Sequence, residues 1–222
     1  MLPKFNNPEL LTTALSHRSS LNEADSGTTA KESYERFEFL GDAVLELVTT
    51  EFLFAKYPTD PEGVLTAYRS ALVKTTTLAS IARKLELGKI MFMSRGEEAT
   101  GGRENEGLLA DVFEAVIGGL YLDQGYEVVK TFLNEELFPY FEEIKSKKLY
   151  KDSKSALQEA VQASGLSTPE YKVINEEGPD HEKTFTVEVI VANKVMGQGT
   201  GKSKQIAQQE AATQALSAFE KK

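Results

Sequence analysis

The most informative absence in this chain of 222 residues is cysteine, which does not occur at all. This absence excludes disulfides, zinc–thiolate sites and thiol catalysis, and it fits a reducing cytoplasm. Histidine occurs only twice, which excludes a histidine-rich metal site. Any bound metal is therefore expected to have oxygen ligands, a preference of Mg²⁺, Mn²⁺ and Ca²⁺.

Long apolar runs are also missing, although 41% of the residues are hydrophobic. No stretch approaches the roughly 18 apolar residues of a membrane span, so no membrane association is expected. The first residues show neither a basic start nor an apolar core, so a secretory signal is not expected either. We therefore expect a cytoplasmic protein with enough core for one or two domains.

The formal net charge of −9 is unevenly distributed along the chain. Residues 151–222 carry 9 basic and 10 acidic residues, whereas residues 1–150 carry 16 basic and 24 acidic residues. The acid excess thus belongs to the first part of the chain, and the total charge does not by itself exclude a nucleic-acid partner.

An acidic helix is predicted from Glu35 to Tyr57, where Pro58 ends it. At about 100° per residue, Glu38, Asp42 and Glu46 lie within about 60° of Glu35 and form one stripe. The predicted core-facing band on the opposite side is Phe37, Leu40, Gly41, Val44, Leu47 and Val48. Clustered like charges and an interior glycine weaken a helix, and a bound cation would offset that cost.

A second acidic helix is predicted from Glu104 to Leu122, with Asp111 and Glu114 on one face. Gly107 and Gly118 lie within about 40° of Asp111, where glycine lets another backbone come close. Together with Glu35, Glu38 and Asp42, these acids are a candidate Mg²⁺ site for phosphodiester chemistry. The alternative is that the acids are solvated faces of two helices, as most charged stripes are.

The remaining periodicity predicts two domains. Further helices are expected at residues 7–20, 62–82 and 127–144, with an irregular segment at 85–102. After residue 151 the pattern changes to a helix at 154–165, strands at 169–174, 183–191 and 195–199, and an alanine-rich helix at 203–219. We therefore expect an all-α domain at 1–146, a linker at 147–152 and a small α+β domain of order α-β-β-β-α at 153–222.

The segment from Glu35 to Leu45, ERFEFLGDAVL, closely resembles the signature motif of bacterial ribonuclease III. Three further segments agree in order: ALSHRS at 14–19, GGR at 101–103, and LAD at 109–111 followed by Glu114-Ala115. The resemblance covers essentially the whole chain. It implies an all-α endonuclease domain that forms a homodimer and cleaves double-stranded RNA.

The same resemblance implies roles for individual residues. Glu38, Asp42, Asp111 and Glu114 would surround a catalytic Mg²⁺, for which Mn²⁺ could substitute. Asp42 and Glu114 fill the most critical positions, and Glu35 matches an acid further from the chemistry. Glu46 is not part of the signature and is interpreted as solvated or structural. Phe39, on the acidic side of the helix, would insert into the partner at a dimer interface through this signature helix.

The second domain resembles a double-stranded RNA-binding domain, on the segment GPDH at 178–181 followed by Lys183 and on GTGKSK at 199–204. Independently of the resemblance, Lys202 and Lys204 lie at a predicted helix N-terminus, which attracts phosphate. The resemblance further implies minor-groove contacts by Ser155, Gln158, Glu159 and His181. Gln205 and Gln208 stand where many relatives carry lysine and glutamate, which predicts weaker or more salt-sensitive binding.

The function expected from these observations is a Mg²⁺-dependent endoribonuclease specific for double-stranded RNA, acting in rRNA and mRNA processing and decay. Its products would carry 5′-phosphate and 3′-hydroxyl ends with a short 3′ overhang. One alternative is a double-stranded RNA-binding protein that does not cut, although all five acids are present. Another is a phosphohydrolase of small phosphate esters, but the chain has no glycine-rich phosphate loop, and no nucleotide cofactor is expected.

Overall fold

The computed structural model describes residues 2–23, 27–146, 153–179 and 183–219. The chain divides into two compact units, residues 1–150 and 151–222. The predicted linker at 147–152 and the predicted RNA contact His181 lie outside the described residues. Among the helices that the structure describes, every one is too short or too polar to cross a membrane.

The first unit is built from helices, as predicted. Its helices are α1 (Pro8–Ala14), α2 (Glu35–Lys56), α3 (Glu62–Leu72), α4 (Thr75–Lys84), α5 (Leu87–Ile90), α6 (Arg95–Ala99), α7 (Glu106–Gln124), α8 (Tyr126–Glu136) and α9 (Pro139–Ser146). Helix α7 lies at the centre of this unit, and its apolar residues from Leu109 to Leu120 are buried. Burial on nearly all sides explains why its sequence is so apolar between the acids.

Two long helices predicted in this unit are each divided in the structure. The prediction of one helix at 62–82 was wrong, because Lys74 is extended and separates α3 from α4. The hydroxyl of Thr77 donates to the carbonyl of Ala71 across this break (3.1 Å). The predicted helix at 127–144 is divided at Pro139, which begins α9 because proline fits the first turn of a helix but not its interior.

The predicted boundaries differ elsewhere too. Asn7 caps α1 as expected, its side chain accepting from the backbone N–H of Glu9 (3.0 Å). However, α1 ends at Ala14, and residues 18–22 form a separate 3₁₀ turn. The segment at 85–102, predicted to be irregular, contains the short helices α5 and α6.

The second unit has the predicted order α-β-β-β-α. Its elements are α10 (Ser153–Ala163), β1 (Glu170–Glu177), β2 (Thr184–Val191), β3 (Lys194–Gly201) and α11 (Lys204–Phe219). The antiparallel sheet has the order β1-β2-β3, and Val187, Val189 and Val191 alternate into the core beneath the helices. A Cβ added to Gly199 would lie 2.3 Å from the backbone nitrogen of Ala211, so the alanine face of α11 rests directly on β3.

Candidate metal and nucleic-acid sites

Helices α2 and α7 touch backbone to backbone at two glycines. A Cβ added to Gly41 would lie 1.8 Å from the carbonyl oxygen of Glu114, and one added to Gly118 would lie 2.1 Å from that of Phe37. The role predicted for Gly118 is therefore correct, and close packing accounts for the interior glycine at position 41. The same role for Gly107 was wrong, because its neighbour is Asn105, the cap of its own helix.

Across this contact, acids of the two helices raise one another's pKa values. Burial raises the pKa of Glu114 to about 8, with further increases from Asp42, Glu38 and Asp111. Burial also raises the pKa of Glu38, with contributions from Asp111, Glu35 and Asp42. The pKa of Asp111 is raised by burial as well. Carboxylates that hinder one another's ionisation in this way favour a cation in their midst.

The donor chemistry of this cluster fits a hard divalent cation. Glu38, Asp42, Asp111 and Glu114 offer oxygen ligands, which Mg²⁺ prefers. Within the described part of the chain, none of these four is ion-paired with lysine or arginine. Across the same residues, no three acidic or histidine side chains converge to the spacing of a metal-ligand set.

The two other acids of the stripe have basic neighbours. Glu35 lies 3.9 Å from the guanidinium of Arg18 and accepts from the hydroxyl of Ser33 (3.1 Å). Glu46 pairs with Arg69 at 2.8 Å. Glu35 thus differs from the other four acids, for which the described residues supply no ion-pair partner, and Glu46 is held in an ion pair with Arg69.

Two buried residues beside the cluster were not singled out from the sequence. Tyr34, immediately before α2, donates its backbone N–H to the carbonyl of Ser16 (2.9 Å), and the N–H of His17 donates to the carbonyl of Phe92 (2.9 Å). Burial raises the pKa of Tyr34, with smaller contributions from nearby acids. Burial lowers the pKa of His17. The bond of Tyr34 to Ser16 anchors the start of α2, and an aromatic residue directly before the first acid was the available signal.

An apolar face of α2 is exposed in the isolated chain. Phe39 is 82% exposed, Phe54 72% and Leu47 58%. Phe39 therefore points away from the core, as its wheel position predicted, whereas the assignment of Leu47 to the core was wrong. A pocket of about 420 Å³ lies at the far end of the same helix, where Leu53 and Phe54 of α2 face Leu65 of α3.

In the second unit, the predicted RNA contacts lie on its helices and at a strand end. Ser155, Gln158 and Glu159 are exposed on one face of α10, at the spacing that makes helical neighbours. Lys202 and Lys204 are exposed, the former just before α11 and the latter as its first residue. Lys183 immediately precedes β2, and it is half-buried.

Gln205 and Gln208, the two glutamines predicted to weaken RNA binding, also lie on α11. Gln208 accepts a hydrogen bond from the ammonium of Lys154 (2.8 Å), and Gln205 is exposed. Lys204 itself is ion-paired with Glu176 of β1 at 2.9 Å.

The fold and these sites define a protein with a helical acidic domain followed by an α-β-β-β-α domain that carries basic residues at a helix start. The family model described as Ribonuclease-III-like matches residues 7–141, and the model described as Double-stranded RNA binding motif matches residues 153–218. The chain belongs to the ribonuclease III family and is an enzyme of that type.

Individual relatives agree with the family models. The chain is 46% identical to Ribonuclease 3 of Bacillus licheniformis over 218 residues, which are 98% of this chain and 86% of that protein. It is 46% identical to Ribonuclease 3 of Bacillus cereus over 212 residues, 96% of this chain and 85% of that protein. A crystal structure of the nuclease domain of ribonuclease III from Campylobacter jejuni is 40% identical with a TM-score of 0.56, covering 62% of this chain and 88% of that one.

Proposed function

We propose that the protein is a Mg²⁺-dependent endoribonuclease that cleaves double-stranded RNA in rRNA and mRNA processing and decay. Its products would carry 5′-phosphate and 3′-hydroxyl ends with a short 3′ overhang. The proposal is supported by the contact of α2 and α7 through Gly41 and Gly118, across which Asp42 and Glu38 raise the pKa of Glu114. The lack of cysteine and of a membrane-spanning run supports work in the cytoplasm.

Within this proposal, Glu38, Asp42, Asp111 and Glu114 hold the metal, and Mn²⁺ can substitute for Mg²⁺. A bound divalent ion would polarise the scissile phosphate and lower the pKa of its water. Burial of Glu114 keeps its carboxyl in a partly water-excluded place, where a charge interaction is stronger than in bulk solvent. Glu35, next to Arg18, supports the cluster without being a ligand.

Glu114→Gln tests the metal assignment, because it removes the charge and preserves the size of the side chain. The variant should bind a long RNA duplex but lose cleavage in Mg²⁺, as followed on a denaturing gel. The matched control is Glu127→Gln, which removes an exposed acid from the first turn of α8 and should cut normally. Undiminished cutting by Glu114→Gln would reject the assignment, and loss of binding as well would make Glu114 structural.

The main rival is a protein of this family that binds double-stranded RNA without cutting it. The presence of Glu35, Glu38, Asp42, Asp111 and Glu114 favours the nuclease over this rival. Incubation of the unaltered protein with duplex RNA and Mg²⁺ separates the two directly, since the rival shifts the duplex and leaves it intact. A phosphohydrolase of small esters is disfavoured because it leaves the RNA-binding motif at 153–218 without a role.

We further propose that the protein works as a homodimer joined through α2. The exposed Phe39 and the pocket beside Phe54 lie at opposite ends of one face, about 22 Å apart along the helix. In an antiparallel pair of α2 helices, Phe39 of each subunit can enter the pocket of the other. The two-fold axis then passes between Glu46 and Leu47, midway between the two phenylalanines, which explains why Leu47 is exposed.

Phe39→Arg tests this interface, because it places a charge where the proposal requires an apolar side chain. The variant should elute as a monomer in native size-exclusion chromatography with light scattering, while the unaltered chain elutes as a dimer. Ile90→Arg, an exposed apolar residue of α5, is the control and should remain dimeric. A dimeric Phe39→Arg variant would show that subunits associate elsewhere.

RNA docking is proposed for the second domain, with boundaries at 153–222 after a linker at 147–152. Ser155, Gln158 and Glu159 on α10 and His181 would meet the minor groove, while the three residues Lys183, Lys202 and Lys204 would meet phosphates. Deletion of residues 151–222 should reduce cutting at physiological salt and spare it more at low salt. Cutting that is unchanged at physiological salt would contradict this role.

A further inference from the structure

Lys204, the first residue of α11, is held by two groups from the sheet. Its ammonium lies 2.9 Å from a carboxylate oxygen of Glu176 and 5.4 Å from the ring centre of Phe185. Glu176 on β1 and Phe185 on β2 are directly opposite each other across the antiparallel pair. The carboxylate and the aromatic ring therefore share one face of the sheet and hold the ammonium together.

A β-bulge is the reason that Glu176 faces the helix. The register between β1 and β2 shifts between Val173 and Asn175. Without this shift, strict alternation from Val173 would place Glu177 on the helix side, because side chains alternate between faces. The extra residue changes the phase, so that Glu176 is opposite Phe185 and follows the face of the buried Val187.

We propose that Glu176 limits the affinity of this protein for duplex RNA, because it neutralises Lys204 until a phosphate displaces it. The proposal rests on the proposed function, in which Lys204 binds a phosphate of the RNA backbone. Bound RNA and Glu176 compete for the same ammonium, since both are anions and the ion pair occupies it in the free protein.

The size of the effect follows from the exposure of the pair. The side chains of Lys204 and Glu176 are 55% and 38% exposed, so water screens their attraction. Ion pairs of this kind change an equilibrium by about two- to fivefold. The exchange is therefore readily reversible, and an RNA phosphate can displace Glu176 from Lys204 at a moderate RNA concentration. Gln205, next in sequence, adds no positive charge that would compensate for the neutralised lysine.

Glu176→Gln in the full chain tests the proposal, with Glu177→Gln as the matched control. Glu177 is the next residue of β1, is also exposed, and accepts from the side chain of Asn175 (2.8 Å). Binding to a fluorescent RNA duplex is measured by anisotropy in EDTA, and a denaturing gel checks that the duplex stays intact. The same measurement is made for Lys204→Gln and for the double variant Glu176→Gln with Lys204→Gln, and circular dichroism checks the fold of each.

We expect Glu176→Gln to bind about two- to fivefold more tightly than the unaltered chain and than Glu177→Gln. When Lys204 is already replaced by glutamine, adding Glu176→Gln should increase the affinity for RNA by no more than Glu177→Gln does. An unchanged affinity, or weaker binding because Glu176 pre-positions the lysine, would overturn the proposal. An equal gain from both glutamates would overturn it too, because this would be a general charge effect.

Lys204→Gln separates this inference from the function on which it rests. If Lys204 meets a phosphate, its loss weakens binding and lowers the slope of log affinity against log salt by about 1. Weaker binding of Lys204→Gln together with no gain from Glu176→Gln refutes the competition alone. No effect of Lys204→Gln on affinity or slope refutes the phosphate contact itself.

Discussion

Replacement of Gly41 by alanine is the most direct test of how the acidic centre is assembled. The added Cβ would lie 1.8 Å from the carbonyl oxygen of Glu114 and 2.9 Å from the backbone nitrogen of Gly118. Ordinary contacts begin at 3.4 Å, so α2 and α7 would have to separate by about 1.6 Å at this point. The obstructing atoms belong to the backbone of α7, and no change of rotamer can move them away.

Two opposing terms set the expected loss of stability. Overpacking of this kind costs about 1–3 kcal/mol, and the upper end applies because two helices must shift. Alanine also favours the helix over glycine by about 1 kcal/mol. The net loss should therefore be about 2 kcal/mol in the free energy of unfolding. Cleavage should fall about 100-fold, since a displacement near 1 Å is enough to disrupt a catalytic arrangement.

Urea denaturation followed by circular dichroism measures the first effect, and initial rates of duplex cleavage measure the second. Gly63→Ala is the control, because this glycine of α3 is exposed and an added Cβ meets nothing within 4 Å. That variant should gain up to about 1 kcal/mol and cut normally. If Gly41→Ala matched the unaltered chain in both assays, the backbone contact between α2 and α7 would be refuted.

Three further predictions concern pH, the motif at 101–103 and the dimer. Burial raises the pKa of Glu114 from its ordinary value of 4.5 to about 8. The folded state therefore binds this proton more tightly than the unfolded state, and the metal-free melting temperature should fall as pH rises from about 5 to 8. Glu114→Gln should flatten this fall in scanning fluorimetry, and an equal slope would contradict the reasoning. Arg103 donates from Nη1 to the carbonyls of Gly88 (2.7 Å) and Met91 (3.0 Å) and from Nε to the carboxylate of Glu98 (2.7 Å), a fork that the single ammonium of a lysine cannot reproduce. Arg103→Lys should lose about 1–3 kcal/mol in urea denaturation, and an unchanged midpoint would show that the fork is dispensable. Leu47→Lys should dissociate the dimer in native size-exclusion chromatography, because it places like charges at the proposed two-fold axis. A dimer that persists at the same concentration would place the axis elsewhere.

Much of the fold could be predicted from local periodicity. The extent of α2, which ends at Lys56 before Pro58, and the α-β-β-β-α order of the second unit follow from patterns within each segment. Breaks without a strong local signal were missed. The break between α3 and α4 lies at Val73 and Lys74, directly before three threonines, Thr75 to Thr77, whose branched side chains disfavour a helix only weakly. Packing and the Thr77 hydroxyl bond to Ala71 decided that boundary.

The candidate acids could be identified from the sequence, but the way in which α2 packs against α7 could not. Helical spacing places Glu38 and Asp42 on one stripe and Asp111 with Glu114 on another, whatever the helices pack against. The interior glycine at position 41 was attributed to a cost that a cation would offset. In the structure it is instead the point at which α7 touches α2. The assignment of the four acids as metal ligands stays a prediction that Glu114→Gln can test.

The sequence alone determined which side chains share a face, because the periods of helix and strand depend on local backbone geometry. Only the tertiary structure decided what covers each face, because that depends on contacts between segments far apart in the chain. Leu47 lies on the predicted apolar band of α2 but is exposed in the structure. In the same way, a single bulge in β1 turned Glu176 rather than Glu177 towards Lys204, since one extra residue reverses the alternation of a strand.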